Sequence, residues 1–166
     1  KHLNVLEVGS GSGVVTEKIV AALSGKRYRL DLVEINEIFS KILFDTYQHN
    51  PQVSVHQADI TMWQPTCKYD VIISTLPFNV FDKTTVEKVW ELYKCWLKPG
   101  GKIVFIELAF FGNLGDYLSV GSAKTERLAK RALIAKYRDK YLENKCCILK
   151  NFPPIYVYQL KLDTQS

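Results

Sequence analysis

Residues 3–14 read Leu3-Asn4-Val5-Leu6-Glu7-Val8-Gly9-Ser10-Gly11-Ser12-Gly13-Val14. The apolar run Leu3–Val8 has the length of a buried strand, and Val14–Leu23 has the spacing of an amphipathic helix. Between them lie three glycines in five residues, which allow a tight turn and let backbone amides approach a ligand closely. A glycine triplet alone is weak evidence. Its place between a strand and a helix, with the acid Glu34 ending the next strand, makes it specific. A carboxylate at that strand end can take both hydroxyls of a ribose.

The alternation continues outward. Arg29–Glu34 reads as the second strand and Ile38–Tyr47 as the second helix, with Ile38, Phe39, Ile42 and Leu43 apolar. Val53–His56 is a short strand after Asn50-Pro51, Tyr69–Thr75 a fourth strand, and Thr84–Leu97 a helix stopped by Lys98-Pro99-Gly100-Gly101. Lys102–Leu108 is the fifth strand. Strand and helix in regular alternation imply parallel pairing through right-handed crossovers, hence a three-layer α/β sheet. After Gly112, Gly115 and Gly121, which mark a loop, Ser122–Glu143 reads as a long basic helix with Leu128, Ala132, Leu133 and Leu142 as its apolar stripe. The strands Cys146–Asn151 and Ile155–Leu162 follow with no helix between them. They form a hairpin, so the last strand runs antiparallel to the rest.

The 166 residues, 47% hydrophobic and 23% charged, fit one globular domain and exclude a disordered, collagen-like or disulfide-built chain. No uncharged apolar run approaches the roughly 18 residues of a membrane span, and no basic-then-apolar signal segment opens the sequence. The first residue is Lys1, not Met, and a strand-like run starts almost at once at Leu3, so a missing N-terminal extension is expected. Cys67, Cys95, Cys146 and Cys147 lack metal-ligand spacing and read as reduced thiols of a cytoplasmic protein, with no metal. The net charge of +5 is concentrated: residues 122–150 hold nine Lys or Arg against three acids. Such a segment fits an anionic partner, a nucleic acid or an acidic membrane surface, or a solvated helix face.

The ligand implied by the glycine loop and Glu34 is NAD or another adenosine compound. Gly9-x-Gly11-x-Gly13 departs from the dinucleotide spacing G-x-G-x-x-G. Asp59 in Gln57-Ala58-Asp59-Ile60 follows the third strand, where it can accept from an adenine amino group. Glu7 would serve a pyrophosphate poorly and a sulfonium or ammonium well. In these residues the chain resembles the class I S-adenosylmethionine-dependent methyltransferases, over essentially its whole length. The resemblance implies a Rossmann-like, mostly parallel seven-stranded sheet with an antiparallel last strand. It implies S-adenosylmethionine as cofactor and S-adenosylhomocysteine as product. It places the cofactor against Glu7, Gly9, Ser10, Gly11, Gly13, Glu34, Ile35, Asp59, Ile60 and Ser74. Gly9 and Gly11 flank the methionine part, Glu34 holds the ribose, Asp59 the adenine, and Ile35 and Ile60 sandwich the ring.

The fourth strand ends in Ser74-Thr75-Leu76-Pro77-Phe78-Asn79, at the sheet end where open α/β folds bind ligands. This run resembles the Asn-Leu-Pro-Tyr motif of ribosomal RNA adenine dimethyltransferases and the Ser-Gly-Leu-Pro-Phe motif of bacterial phospholipid N-methyltransferases. Both methylate nitrogen, so Ser74, Thr75, Leu76, Pro77 and Phe78 are the catalytic candidates, with the Phe78 ring on the acceptor side. Ser74 favours the phospholipid enzymes, as does Thr75 standing where the adenine enzymes have Asn. So does Asn151-Phe152-Pro153-Pro154-Ile155-Tyr156-Val157-Tyr158, which is similar to their terminal Asn-Leu-Pro-Pro-Ala-x-Val-Tyr hairpin. Thr75 in place of Gly, and Phe110-Phe111-Gly112 in place of a Tyr-Gly pair, depart from that pattern.

The resemblance thus implies a methyltransferase for a phospholipid amine head group such as phosphatidylethanolamine, acting peripherally at the inner face of the membrane. A nucleic-acid adenine methyltransferase and a catalytically silent adenosine-binding module are the alternatives. In-line methyl transfer mainly needs donor and acceptor aligned. Tyr117, Tyr156 and Tyr158 are candidate proton relays, whereas His2, His49 and His56 read as structural or solvated. On the basic helix, Arg127, Arg131 and Arg138 fall on one stripe. Leu128, Ala132 and Leu142 fall on a neighbouring stripe expected to face the sheet, leaving the arginines for anionic lipid.

Overall fold

In the computed structural model, which describes residues 2–108, 122–149 and 154–162, β1 (Leu3–Val8) leads through the glycine loop into α1 (Val14–Leu23). Then come β2 (Tyr28–Glu34), α2 (Glu37–Tyr47), β3 (Val53–Gln57), β4 (Tyr69–Ser74), α3 (Lys83–Trp96) and β5 (Leu97–Leu108). After the undescribed residues 109–121 come α4 (Ser122–Tyr141), β6 (Leu142–Ile148) and β7 (Ile155–Lys161). The seven strands form one sheet in the order β3-β2-β1-β4-β5-β7-β6, with β7 antiparallel to both neighbours. This is the mostly parallel, Rossmann-like sheet expected from the alternation, including its antiparallel last strand.

Side chains alternate across each strand and so feed two cores. Leu6, Val8 and Val33 point into the larger one, with Tyr69, Ile72, Trp90, Tyr93, Trp96 and Phe105. Val5, Leu30 and Leu32 point into the smaller one, against Ile19 and Leu23 of α1 and Leu43 of α2. Parallel order puts the carboxyl ends of β1, β2, β3 and β4 on one edge of the molecule, where the glycine loop, Glu34, Ala58-Asp59 and Thr75–Phe78 all emerge.

Several sequence expectations shift. Lys98-Pro99-Gly100-Gly101 does not precede β5 but forms a bulge within it: Tyr69 pairs with Leu97, and the next pair is Val71 with Lys102. Gly101 is required there, because a Cβ would sit 2.8 Å from Leu97 Cγ and 2.9 Å from the Lys98 carbonyl. The apolar stripe expected on the basic helix is rotated. Leu128, Ala132 and Leu142 are exposed, whereas Lys130 and Ile134 are buried, with Leu133, Tyr137 and Tyr141 packed on the core. The phase is set by Tyr137, stacked on Trp90 at 4.9 Å and 8°, since an aromatic pair buries more area than the scattered leucines offer. On α2 only Ser40 and Leu43 are buried; Ile38, Phe39 and Ile42 remain exposed. The loop glycines 112, 115 and 121, Phe110-Phe111-Gly112, Tyr117 and Asn151–Pro153 lie outside the described residues.

A fully buried carboxylate, Asp31, sits in the middle of β2. It accepts from Arg29 Nε (2.9 Å), from Tyr69 Oη (2.8 Å) and pairs with His56 Nε2 (3.0 Å). Burial alone would raise its pKa; His56, Arg29 and Tyr69 more than offset that and hold it below the usual carboxylate range. His56 is thus structural, as the sequence suggested. Removing one donor by Tyr69→Phe should cost about 1.5–3 kcal/mol in urea denaturation at neutral pH. Because the folded pKa is depressed, this contribution is present at neutral pH and is lost as pH falls through the Asp31 pKa. The gap between variant and parent should therefore narrow in acid.

Candidate functional site

The glycine loop is fastened from three sides. Gly9 N–H donates to the Val33 carbonyl at 2.8 Å, and the Thr75 hydroxyl donates to the Gly9 carbonyl at 2.6 Å. Gly9 has a φ of 77°, and a Cβ on it would meet Leu76 Cδ2 at 3.0 Å, so glycine is required by both conformation and space. Glu34 closes the third side: Oε2 accepts from Gly11 N–H and Oε1 from Asn36 N–H, each at 2.8 Å. Asn36 in turn caps α2 by accepting from Phe39 N–H at 3.1 Å.

A cavity of ≈ 480 Å³ opens beside this loop, within the range of small-ligand pockets. It collects Gly9, Gly11, Glu34, Ile35, Asp59, Ile60, Thr75, Leu76 and Pro77, nine of the residues singled out from sequence. Asp59 shapes its own corner, accepting from Thr61 N–H at 2.8 Å. The cavity is also lined by residues the sequence reading did not single out as site residues, notably Asn36, Phe39, Ala58, Phe81 and Thr85. Of these Phe81 was findable: it is an aromatic just before Asp82, whose carboxylate caps α3 by accepting from Thr85 N–H at 2.7 Å. Phe39 carried no distinguishing signal, since helical spacing alone gave it to the core.

Glu7, Ser10, Gly13, Ser74 and Phe78 do not line the cavity. Phe78 is the clearest correction. It is 3% exposed, stacked on Trp90 at 5.8 Å and packed against Phe105, so its ring is core and cannot flank an acceptor. Ser74 is buried and accepts from Tyr93 Oη at 2.9 Å. Thr75 does reach the cavity, but its hydroxyl is spent on the glycine loop. Tyr156 and Tyr158 lie on β7 under Lys145, whose Nζ is 3.9 Å from the Tyr156 ring centre, and neither lines the cavity. Arg138 is not part of an open stripe: it pairs with Asp139 and Glu107 and covers the Tyr158 ring.

Behind the loop, Glu7 is 0% exposed; its Oε2 accepts from Thr16 Oγ1 at 2.7 Å, and its Oε1 and the buried Ser10 Oγ have no hydrogen-bond partner among the described residues. Burial pushes the Glu7 carboxyl up to about 7, the Thr16 bond opposes this, and the negative Glu34 adds to it. An acidic pair under a glycine loop, one member poised near neutrality, fits a cationic ligand. The apolar walls from Val8, Val33, Ile35 and Ile60 fit an aromatic ring, and Glu34 is preset for hydroxyl donors.

A methyltransferase-domain family matches residues 5–101. The chain belongs to that family. Its cofactor is accordingly S-adenosylmethionine, which leaves as S-adenosylhomocysteine. Malonyl-[acyl-carrier protein] O-methyltransferase 2 of Ilyobacter polytropus is 29% identical over 102 residues, 61% of this chain and 38% of its own length. The tRNA1(Val) (adenine(37)-N6)-methyltransferase of Klebsiella pneumoniae is 35% identical over 83 residues, 47% of this chain and 33% of its own. The chain thus spans about two fifths of its malonyl relatives (38% and 40%). Among solved structures, the N-methyltransferase NodS from Bradyrhizobium japonicum WM9 superposes with a TM-score of 0.71 at 15% identity, covering 96% of this chain and 85% of that one. Its complex with S-adenosylhomocysteine gives 0.68 at 16% identity, with 98% and 79% coverage. These neighbours share the fold of this methyltransferase domain.

The Glu7 environment has a measurable consequence. Its folded pKa lies above the value of 4.5 for a free glutamate, so the unfolded chain releases the proton first, and stability falls as pH rises from about 4.5 to about 7. Glu7→Gln removes this titration. Its stability relative to the parent should rise by up to about 3 kcal/mol between about pH 5 and about pH 8 in urea denaturation.

Proposed function

We propose that this methyltransferase domain transfers a methyl group from S-adenosylmethionine to the amine nitrogen of a phospholipid head group such as phosphatidylethanolamine. One observation carries the reading. Thr75, Leu76 and Pro77, from the run that resembles the phospholipid enzymes, wall the same cavity as Glu34 and Asp59. Exposed apolar side chains at the strand-end edge, Ile35, Ile38, Met62 and Val80, suit an acceptor presented by a lipid surface.

In this reading Glu34 accepts from the ribose hydroxyls, with its geometry already set by Gly11 and Asn36 N–H. Asp59 accepts from the adenine amino group, and Ile35 and Ile60 pack on its ring. Gly9, Gly11 and Gly13 allow close approach of the methionine portion, while Glu7, held by the Thr16 hydroxyl beneath the loop, contributes through its charge and not by contact. Ser74, through Tyr93, fixes the base of the acceptor loop, and Phe78 anchors that loop in the core. The cofactor supplies an electrophilic methyl group on a sulfonium. The acceptor ammonium would give its proton to solvent, leaving at the Thr75–Pro77 wall a neutral amine whose lone pair would take the methyl group, with S-adenosylhomocysteine as the product released. Alignment of the two within one cavity supplies the main advantage.

The similarity to a tRNA1(Val) (adenine(37)-N6)-methyltransferase favours a second reading, an adenine acceptor in RNA. Radiolabelled S-adenosylmethionine offered with phosphatidylethanolamine vesicles or with RNA separates the two: label should enter the lipid. Label entering RNA alone overturns the lipid reading, and no turnover despite cofactor binding leaves a silent binding module. Glu34→Ala should weaken S-adenosylhomocysteine binding by about 1.5–3 kcal/mol, read by calorimetric titration. An unchanged dissociation constant would remove Glu34 from the cofactor site.

A further inference from the structure

We propose that Phe81 forms the wall of an acceptor subsite for an alkylammonium cation, and that Lys130 is the positioning residue that holds it there. This deepens, and rests on, the reading of the acceptor as an alkylamine.

Phe81 lines the cavity together with Phe39, Pro77 and Thr85. It ends a ladder of rings. Tyr137 of α4 stacks on Trp90 of α3, Trp90 stacks on Phe78 at 5.8 Å, and Phe78 meets Phe81 edge-to-face at 6.4 Å and 82°. Of these four residues only Phe81 lines the cavity; the other three pack behind it. The backbone is fixed as well. Lys130, 8% exposed, donates from Nζ to the Asn79 carbonyl at 2.7 Å and to the Phe81 carbonyl. A buried ammonium is retained only where acceptors meet it, so these two carbonyls and the lysine hold each other in place.

Phe81 is followed by Asp82, whose carboxylate accepts from Thr85 N–H and Oγ1, and Thr85 also lines the cavity. An aromatic ring attracts a cation placed over its face, and the Asp82 carboxylate next in the chain adds negative charge to this wall. The ring matters for a methylated product in particular. Each transfer removes an N–H donor from the acceptor but leaves its charge, so hydrogen-bond acceptors lose their grip while a ring quadrupole keeps it.

The test uses the chain loaded with S-adenosylhomocysteine and tetramethylammonium chloride as an unreactive probe, titrated by NMR. Phe81→Leu keeps an apolar side chain but removes the quadrupole, and should weaken the probe by about tenfold while S-adenosylhomocysteine affinity stays within about twofold. Phe81→Tyr should retain probe binding. Lys130→Met should weaken the probe like Phe81→Leu, with recovery in Lys130→Arg; if the methionine variant does not fold, the Phe81 pair decides. A probe that binds parent and Phe81→Leu equally, or does not bind the parent, overturns the subsite. So does a Phe81→Leu variant with the parent kcat/KM on phosphatidylethanolamine vesicles. If the parent methylates no phospholipid while the probe still depends on Phe81, the lipid reading falls and the subsite stands.

Discussion

The Glu34 carboxylate, gripped by the N–H groups of Gly11 and Asn36, is the constraint on which the site depends. One hydrogen bond reaches into the loop before α1 and the other into the loop before α2, so a single side chain sets the distance between two cavity walls. Nearly buried, it needs donors to offset lost hydration, and charge-assisted bonds to backbone N–H supply them. The N-termini of α1 and α2 point their positive dipole ends toward the same region. The carboxylate is thereby fixed in orientation at the cavity wall.

Electrostatics then separates the two acids of the site by environment. Glu34 has donors and lines the cavity. Glu7, fully buried with one oxygen unpartnered among the described residues, is pushed toward neutrality by burial and by Glu34 itself. Burial is the larger of the two effects, and the Thr16 hydroxyl, donating to Glu7 Oε2, opposes both.

The opposite wall is built by packing. The larger core is aromatic, and its rings run from α4 through α3 to the loop after β4. This explains why the basic helix is seated by Tyr137 and Ile134 and not by its leucines, and why one of its lysines is buried. Charge on that helix is therefore divided. Lys130 and Arg138 serve the fold, whereas Arg127 and Arg131 stand at the exposed face.

Local sequence determined the sheet and which strand-end residues meet at the cavity: Gly9, Gly11, Glu34 and Asp59. The strand–glycine–helix unit, Glu34 and Asp59 were legible because each role is tied to a strand end, and alternation with the crossover rule places all strand ends on one edge. The antiparallel β7 followed from two strands without a helix between them. Tertiary structure alone decided the opposite wall of the cavity. Phe78 and Phe81 are both aromatics in a loop, and nothing in their spacing says which enters the core. Trp90 and Phe105, brought in from α3 and β5, take Phe78 and leave Phe81 to the cavity. Lys130 read as one more surface cation, because the carbonyls that bury it come from about 50 residues away in the chain, a proximity that only packing creates.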